Sequence, residues 1–166
     1  YAATAIRLGA RPVAVVLLLL SPVVMHGLLN ANIDWLVLLA LFMPVRWGLF
    51  FALIKPQVGL GLVLFWAVEA WREGRWKSVV SVFWPVTATT ALSFGLYGLW
   101  PLHAPQTSEY WYSASLFPYS VPAGIILLVW AFRKRDERPA LAASPMLAPY
   151  TLFHSWVGAL IALSRN

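Results

Sequence analysis

Charged residues are scarce in this sequence. Asp, Glu, Lys and Arg make up 11% of the 166 residues, while 61% are hydrophobic and the mean hydropathy is +0.73. A soluble domain carries about 25% charged residues, so the composition excludes an ordinary soluble domain and predicts an integral membrane protein. Long apolar runs favour spanning helices over the alternating pattern of an outer-membrane barrel.

Cysteine is absent altogether. Its absence excludes disulfides and thiolate metal sites, and we predict no metal site. The motifs of soluble enzymes are missing too: the sequence has no Walker loop, no HExxH and no G-x-S-x-G. Gly59-x-Gly61 lacks both the preceding strand and the third glycine of a dinucleotide-binding loop.

Acidic residues are few, with 6 Asp and Glu against 12 Lys and Arg, giving a net charge of +6. The basic residues cluster between apolar runs, at 7–11, 72–77 and 133–138, which is the positive-inside pattern. We therefore interpret them as markers of the cytoplasmic side of a bacterial inner (plasma) membrane and as contacts with membrane lipids. They do not indicate a nucleic acid partner.

The apolar runs predict an all-α, polytopic helical membrane protein with about five to seven membrane segments, some of them broken or half-length. We expect a single helical transmembrane domain over residues 1–166, part of a longer chain. The predicted segments are 12–29 with an interruption at Ser21-Pro22, a short run at 35–44, half-length pieces at 47–54 and 58–71, and spans at 78–100, 121–132 and 140–163.

Lys55-Pro56-Gln57 interrupts an otherwise apolar run. A charge at membrane depth costs roughly 2.5–3.5 kcal/mol, so such a residue usually faces a cavity or a partner. Proline breaks the helix, and lipid does not tolerate the break unless protein or water covers it. Lys55 is thus either a buried site residue or a lysine that extends to the membrane interface. If Arg46 is cytoplasmic like Arg72, the segment 47–71 enters and returns on that side, folding back at this break.

Other polar residues have two interpretations each. Asn30, Asn32 and Asp34 either cap the helix that begins near Trp35 or bind a ligand. The histidines, His26, His103 and His154, are expected to make structural hydrogen bonds; a bis-His pair of His26 and His154 is conceivable, but haem or a pigment is not expected as a cofactor. Glu109 with Tyr110 and Tyr112 is interpreted as an interfacial anchor.

Several motifs together resemble the polytopic glycosyltransferases of the GT-C superfamily, and most closely their polyprenol-phosphate-mannose-dependent branch. They are Leu20-Ser21-Pro22-Val23, the run Asn32-Ile33-Asp34-Trp35-Leu36-Val37-Leu38-Leu39, Lys55-Pro56-Gln57-Val58-Gly59, the basic turn Trp71-Arg72-Glu73-Gly74-Arg75-Trp76, Ala143-Ser144-Pro145-Met146-Leu147-Ala148-Pro149-Tyr150, and Ser155-Trp156.

The resemblance implies transfer of a sugar, mannose in that branch, from a polyprenol-phosphate donor on the extracytoplasmic side. Lys55 and Gln57 match the family's Lys-Pro-Gln, and Asn32 and Asp34 match its polar turn, so we expect these four residues to bind substrate. The phosphate contact of Lys55 and Gln57 is expected from their chemistry, a cation beside an amide donor, and not from the match. The catalytic residue stays unknown, because such enzymes carry their catalytic carboxylate in a first outer loop and this sequence has no equivalent carboxylate. These enzymes also have more membrane spans than are predicted here. The alternative is a non-catalytic accessory transmembrane subunit of a larger respiratory or photosynthetic complex, whose partners are other membrane subunits.

Overall fold

The computed structural model describes residues 1–99 and 113–164, and the regular elements within them are all helical. This confirms the all-α prediction. The elements in chain order are α1 (Ala2–Arg7), α2 (Pro12–Leu19), α3 (Pro22–Leu29), α4 (Asp34–Leu39), a 3-10 turn (Ala40–Phe42), α5 (Val45–Ile54), α6 (Pro56–Tyr97), α7 (Val121–Lys134), α8 (Glu137–Leu147), a second 3-10 turn (Phe153–Trp156) and α9 (Val157–Leu163).

Only α6 is both long enough and apolar enough to cross a membrane by itself among the described helices. The pair α2 and α3 passes the same test together, with a 50° bend between them, so one or two candidate spans result. The bend lies at the predicted interruption, where Ser21 caps α3 by accepting a hydrogen bond from the Val24 amide and Pro22 begins the helix. Proline at the first helical position costs no hydrogen bond there.

α6 consists of two helical pieces. Gly74 and Arg75 have non-helical dihedral angles, with φ of +51° at Arg75, and they separate residues 56–73 from 76–97. The break coincides with the basic turn predicted between the apolar runs. Each piece is roughly 27–33 Å long, which matches the thickness of a membrane core.

The chain reverses direction at Lys55. α5 ends at Ile54, Lys55 adopts an extended conformation, and α6 begins at Pro56. A Cβ at Gly59 would collide with the Ala52 carbonyl, and one at Gly48 would lie 3.3 Å from the Trp66 ring. Gly59 faces Ala52 close to the turn, and Gly48 faces Trp66 farther from it. α5 and α6 therefore pack antiparallel. This geometry agrees with the expectation that 47–71 folds back.

A second reversal precedes it. Met43 and Pro44 separate the 3-10 turn from α5, and a Cβ at Gly48 would lie 2.6 Å from the Ala40 carbonyl oxygen. The short run predicted at 35–44 is therefore a helix that ends at Phe42, before Arg46. Arg46 lies in the first turn of α5 and donates to Ser81 Oγ at 3.1 Å.

The prediction of one continuous span over 140–163 is wrong. α8 ends at Leu147, Ala148 is extended with ψ of 128°, and a 3-10 turn separates it from α9. Pro149 explains the break, because a residue before proline is sterically disfavoured from the helical region. The break turns the chain so that His154 is buried within the protein.

α8 is the central element of the packing, and α5, α6 and α7 surround the core with it. Its small residues allow close approach: the Gly61 amide donates to Ser144 Oγ at 2.9 Å, and a Cβ at Gly61 would collide with the Ala140 carbonyl. Small residues at helix contacts are the usual means of close packing in membrane proteins.

We predict that Gly61→Ala destabilises the protein by about 1–3 kcal/mol, because the added methyl group forces α6 away from α8. Gly95→Ala, on the same helix, is the matched control, since a Cβ at Gly95 would meet no atom of the described residues within 4 Å. There the substitution should be neutral or stabilising by up to about 1 kcal/mol. Thermal unfolding in detergent, followed by circular dichroism, measures both, and equal behaviour of the two variants would contradict the packing described.

Candidate functional site

Three segments that are distant in sequence meet at the turn between α5 and α6. The loop before α4 supplies Asn32, and Asp34 is the first residue of α4. The turn supplies Lys55, and the second 3-10 turn supplies His154. We call these residues, together with His26 of α3, the lysine cluster.

Lys55 is at the centre of the lysine cluster. Its Nζ lies 2.5 Å from Asp34 Oδ1, 2.8 Å from Asn32 Oδ1 and 3.3 Å from His154 Nε2. An ammonium group has three N–H donors and no acceptor. Each donor therefore has one acceptor, and the ammonium is fully hydrogen-bonded without solvent.

With the Lys55 ammonium as the donor, these distances assign a tautomer to each neutral histidine. His154 Nε2 accepts from the Lys55 ammonium, so a neutral His154 carries its proton on Nδ1. That Nδ1 lies 3.2 Å from Nδ1 of His26, which accepts, leaving the proton of His26 on Nε2. The two rings stack with centroids 5.4 Å apart. A hydrogen-bonded chain thus runs from the exposed His26 to the buried lysine.

The ion pair of Lys55 and Asp34 is shielded from solvent. Asp34 is 0% exposed, His154 4% and Lys55 8%. Asp34 Oδ2 has no hydrogen-bond partner among the described residues and lies 3.8 Å from His154 Nε2. A buried carboxylate oxygen without a partner is costly, so this atom is either a source of strain or a position where a ligand hydroxyl would bind.

The structure brings together three of the four predicted binding residues: Asn32, Asp34 and Lys55. Gln57 lies close by in the first turn of α6 and is half-buried, but its side chain makes no hydrogen bond within the described residues. Lys55 is a buried residue, which supports the first of the two interpretations considered for it.

Helix capping by Asp34 is not observed. Ile33 occupies the position before α4 and has no side-chain cap, while Asp34 is the first helical residue and pairs with Lys55. Asn32 Oδ1 does accept from the Asp34 amide at 3.2 Å, and Asn30 donates to the His26 carbonyl at 2.8 Å. The amides therefore order the loop, while the carboxylate belongs to the site.

The structural role expected for two histidines agrees with the hydrogen bonds of His26 and His154. Sequence reasoning did not connect His154 to Lys55, and no spacing signal could have done so across the 99 residues that separate them.

No group of three metal-ligating residues exists in 1–99 and 113–164. His103, Glu109, Tyr110 and Tyr112 lie outside the described residues.

A second group of charges lies at the other end of the α6–α8 contact. Arg7 donates to Glu137 at 3.2 Å, and Asp136 caps α8 by accepting from the Arg138 amide at 3.0 Å. Burial raises the pKa of the Glu137 carboxyl, an effect that Arg7 offsets in part. Phe65 of α6 lines the space beside these charges. Phe65 lies ten residues after Lys55, so the two groups of charges are about 15 Å apart along α6.

Comparisons with protein-family models, curated proteins and solved structures give no match for this chain.

We predict that Lys55→Met destabilises the protein by about 3–5 kcal/mol, because it leaves the Asp34 carboxylate buried without its counter-ion. Lys55→Met combined with Asp34→Leu should restore most of that loss, since no uncompensated charge remains. Glu69→Gln, which breaks the more exposed pair with Arg72, is the control and should cost less than about 1 kcal/mol. Denaturant unfolding in detergent measures all three, and a double variant less stable than the single one would argue against a compensated pair.

Proposed function

We propose that this chain is a multi-span helical membrane domain related to the GT-C glycosyltransferases, and that its lysine cluster receives a polyprenol-phosphate-linked sugar on the extracytoplasmic side. The observation that carries the proposal is the buried Lys55 at a helical reversal, joined directly to Asn32 and Asp34. Reversals with a charged residue are a common means of building polar sites within membranes.

The contact between Lys55 and His154 is the position at which a phosphate would enter. At 3.3 Å it is the longest of the three ammonium contacts, and its acceptor is a neutral nitrogen. A phosphate oxygen makes a shorter and stronger charge-assisted bond to an ammonium than an imidazole does. Displacing His154 would therefore free one donor for the phosphate while Asp34 and Asn32 keep the lysine in place.

Two further groups suit a sugar phosphate. The Gln57 amide lies two residues from Lys55 and has donors for phosphate or hydroxyl oxygens. Asp34 Oδ2, which has no hydrogen-bond partner within the described part of the chain, would accept from a sugar hydroxyl once His154 moves. The donor would thus be held by its phosphate on Lys55 and by a hydroxyl on Asp34.

Binding of a short-chain polyprenyl phosphate mannose, measured by native mass spectrometry of the purified chain, tests this proposal. Lys55→Gln should abolish binding, whereas Lys77→Gln, which removes an exposed lysine just after the basic turn, should not change it. His154→Ala should bind as tightly as the unsubstituted chain or more tightly, because it frees a Lys55 donor without a displacement step. Weaker binding by His154→Ala would contradict the proposed phosphate position, even if Lys55→Gln fails to fold.

Transfer of radiolabelled mannose from the same donor, assayed in membranes that contain the chain, separates a transferase from a lipid-binding protein. Transfer that depends on Lys55 supports the enzyme. Binding without transfer would support the second candidate, an accessory transmembrane subunit. That candidate is favoured by one observation: only 6% of the most apolar stretch of α6 is buried within the chain, so lipid or another subunit must cover it.

A further inference from the structure

Two cavities of contrasting character adjoin at the beginning of α8. The first, about 520 Å³, is lined mainly by the charged residues Arg7, Lys134, Arg135, Asp136, Glu137 and Arg138. The second, about 550 Å³, is lined mainly by apolar residues, among them Leu127, Trp130, Ala142, Met146 and Ala162. Asp136 and Arg138 line both cavities, so the polar and the apolar cavity are direct neighbours.

The polar cavity carries an excess of positive charge that its own carboxylates do not neutralise. Both carboxylates are already paired, Glu137 with Arg7 and Asp136 with Arg138. Lys134 and Arg135 are exposed at the end of α7, and within residues 1–99 and 113–164 their only ion pair is the 4.0 Å contact of Arg135 with Glu69. An anionic group in this cavity would find these two cations available.

The apolar cavity lies between α7, α8 and α9. Ala142 and Ala159 keep the space open because their side chains are small, and Trp130 is 54% exposed at its edge. An acyl chain fits such a groove by apolar contact alone. A ligand that fills both cavities must therefore be amphipathic, with an anionic head and an apolar tail.

We propose that this double cavity binds an anionic phospholipid, with the phosphate of its headgroup on Lys134 and Arg135 and an acyl chain along the groove of Trp130, Ala142 and Ala162. Basic pockets between membrane helices on the cytoplasmic side are typical sites for anionic headgroups. The lipid site shares the membrane location of the proposed function but none of its site residues, and along α6 it lies about 15 Å from Lys55.

Native mass spectrometry of the full chain, released from vesicles of phosphatidylcholine and phosphatidylglycerol, tests the headgroup contacts. We expect preferential retention of phosphatidylglycerol. Lys134→Gln combined with Arg135→Gln should lower that retention about tenfold. The matched control, Arg75→Gln combined with Lys77→Gln, removes the same charge from exposed positions outside the cavity and should leave retention unchanged.

The tail contact has its own variant. Ala162→Phe fills the groove and should reduce phosphatidylglycerol retention, while Ala91→Phe, at an exposed position on α6, should not. Gln57→Ala, which removes a donor of the sugar site without leaving a buried charge unpaired, should also leave retention unchanged. A failure of the sugar-donor site can therefore be distinguished from a failure of the lipid site. Equal retention of both lipids, equal losses in variant and control, or displacement of the lipid by inorganic phosphate would each overturn the proposal.

Discussion

The ammonium of Lys55 is the interaction on which the site depends. Its three donors bind residues from two other segments of the chain, so one side chain joins the loop before α4, the reversal after α5 and the turn before α9. A buried charge of this kind is tolerated only when it is paired and fully hydrogen-bonded. The fold supplies both conditions, and it does so by reversing the chain at Lys55 and breaking it again near Pro149.

The charged residues divide between the two ends of the α6–α8 contact. At one end they are compensated and buried around Lys55, while at the other a basic surface at the ends of α1 and α7 carries unneutralised charge. The α6 residues between these two ends are largely buried, among them Val58, Leu62 and Phe65. The apolar stretch of α6 beyond Gly74 is largely exposed and requires a nonaqueous surrounding or a partner. This division agrees with the two proposals, a polar ligand site around Lys55 and a lipid site at the basic surface.

Much of the local structure could be predicted from the sequence, because proline and charge leave clear local signals. The breaks at Ser21-Pro22 and at Lys55-Pro56 follow from the missing proline N–H and its steric effect on the preceding residue. Ser144-Pro145 and Pro149-Tyr150 were both candidate interruptions of 140–163, but only Pro149 marks a break, since Pro145 lies within α8. The meeting of His154 with Lys55 could not be predicted, since it depends on helix packing across 99 residues. The role of Asp34 was ambiguous for a similar reason, because a carboxylate before a helix suits both a cap and a ligand-binding site, and its ion pair with Lys55 depends on helix packing.

The most direct test of the account is which side of a membrane each end of the α6–α8 contact faces. The chain has no cysteine, so Asn30→Cys and Arg133→Cys, both at exposed positions, each introduce a single thiol for labelling. With a membrane-impermeant maleimide on intact cells, we predict labelling of Asn30→Cys and labelling of Arg133→Cys only after permeabilisation. Identical labelling of the two variants in intact cells would contradict the placement of residues 30 and 133 on opposite sides of a membrane.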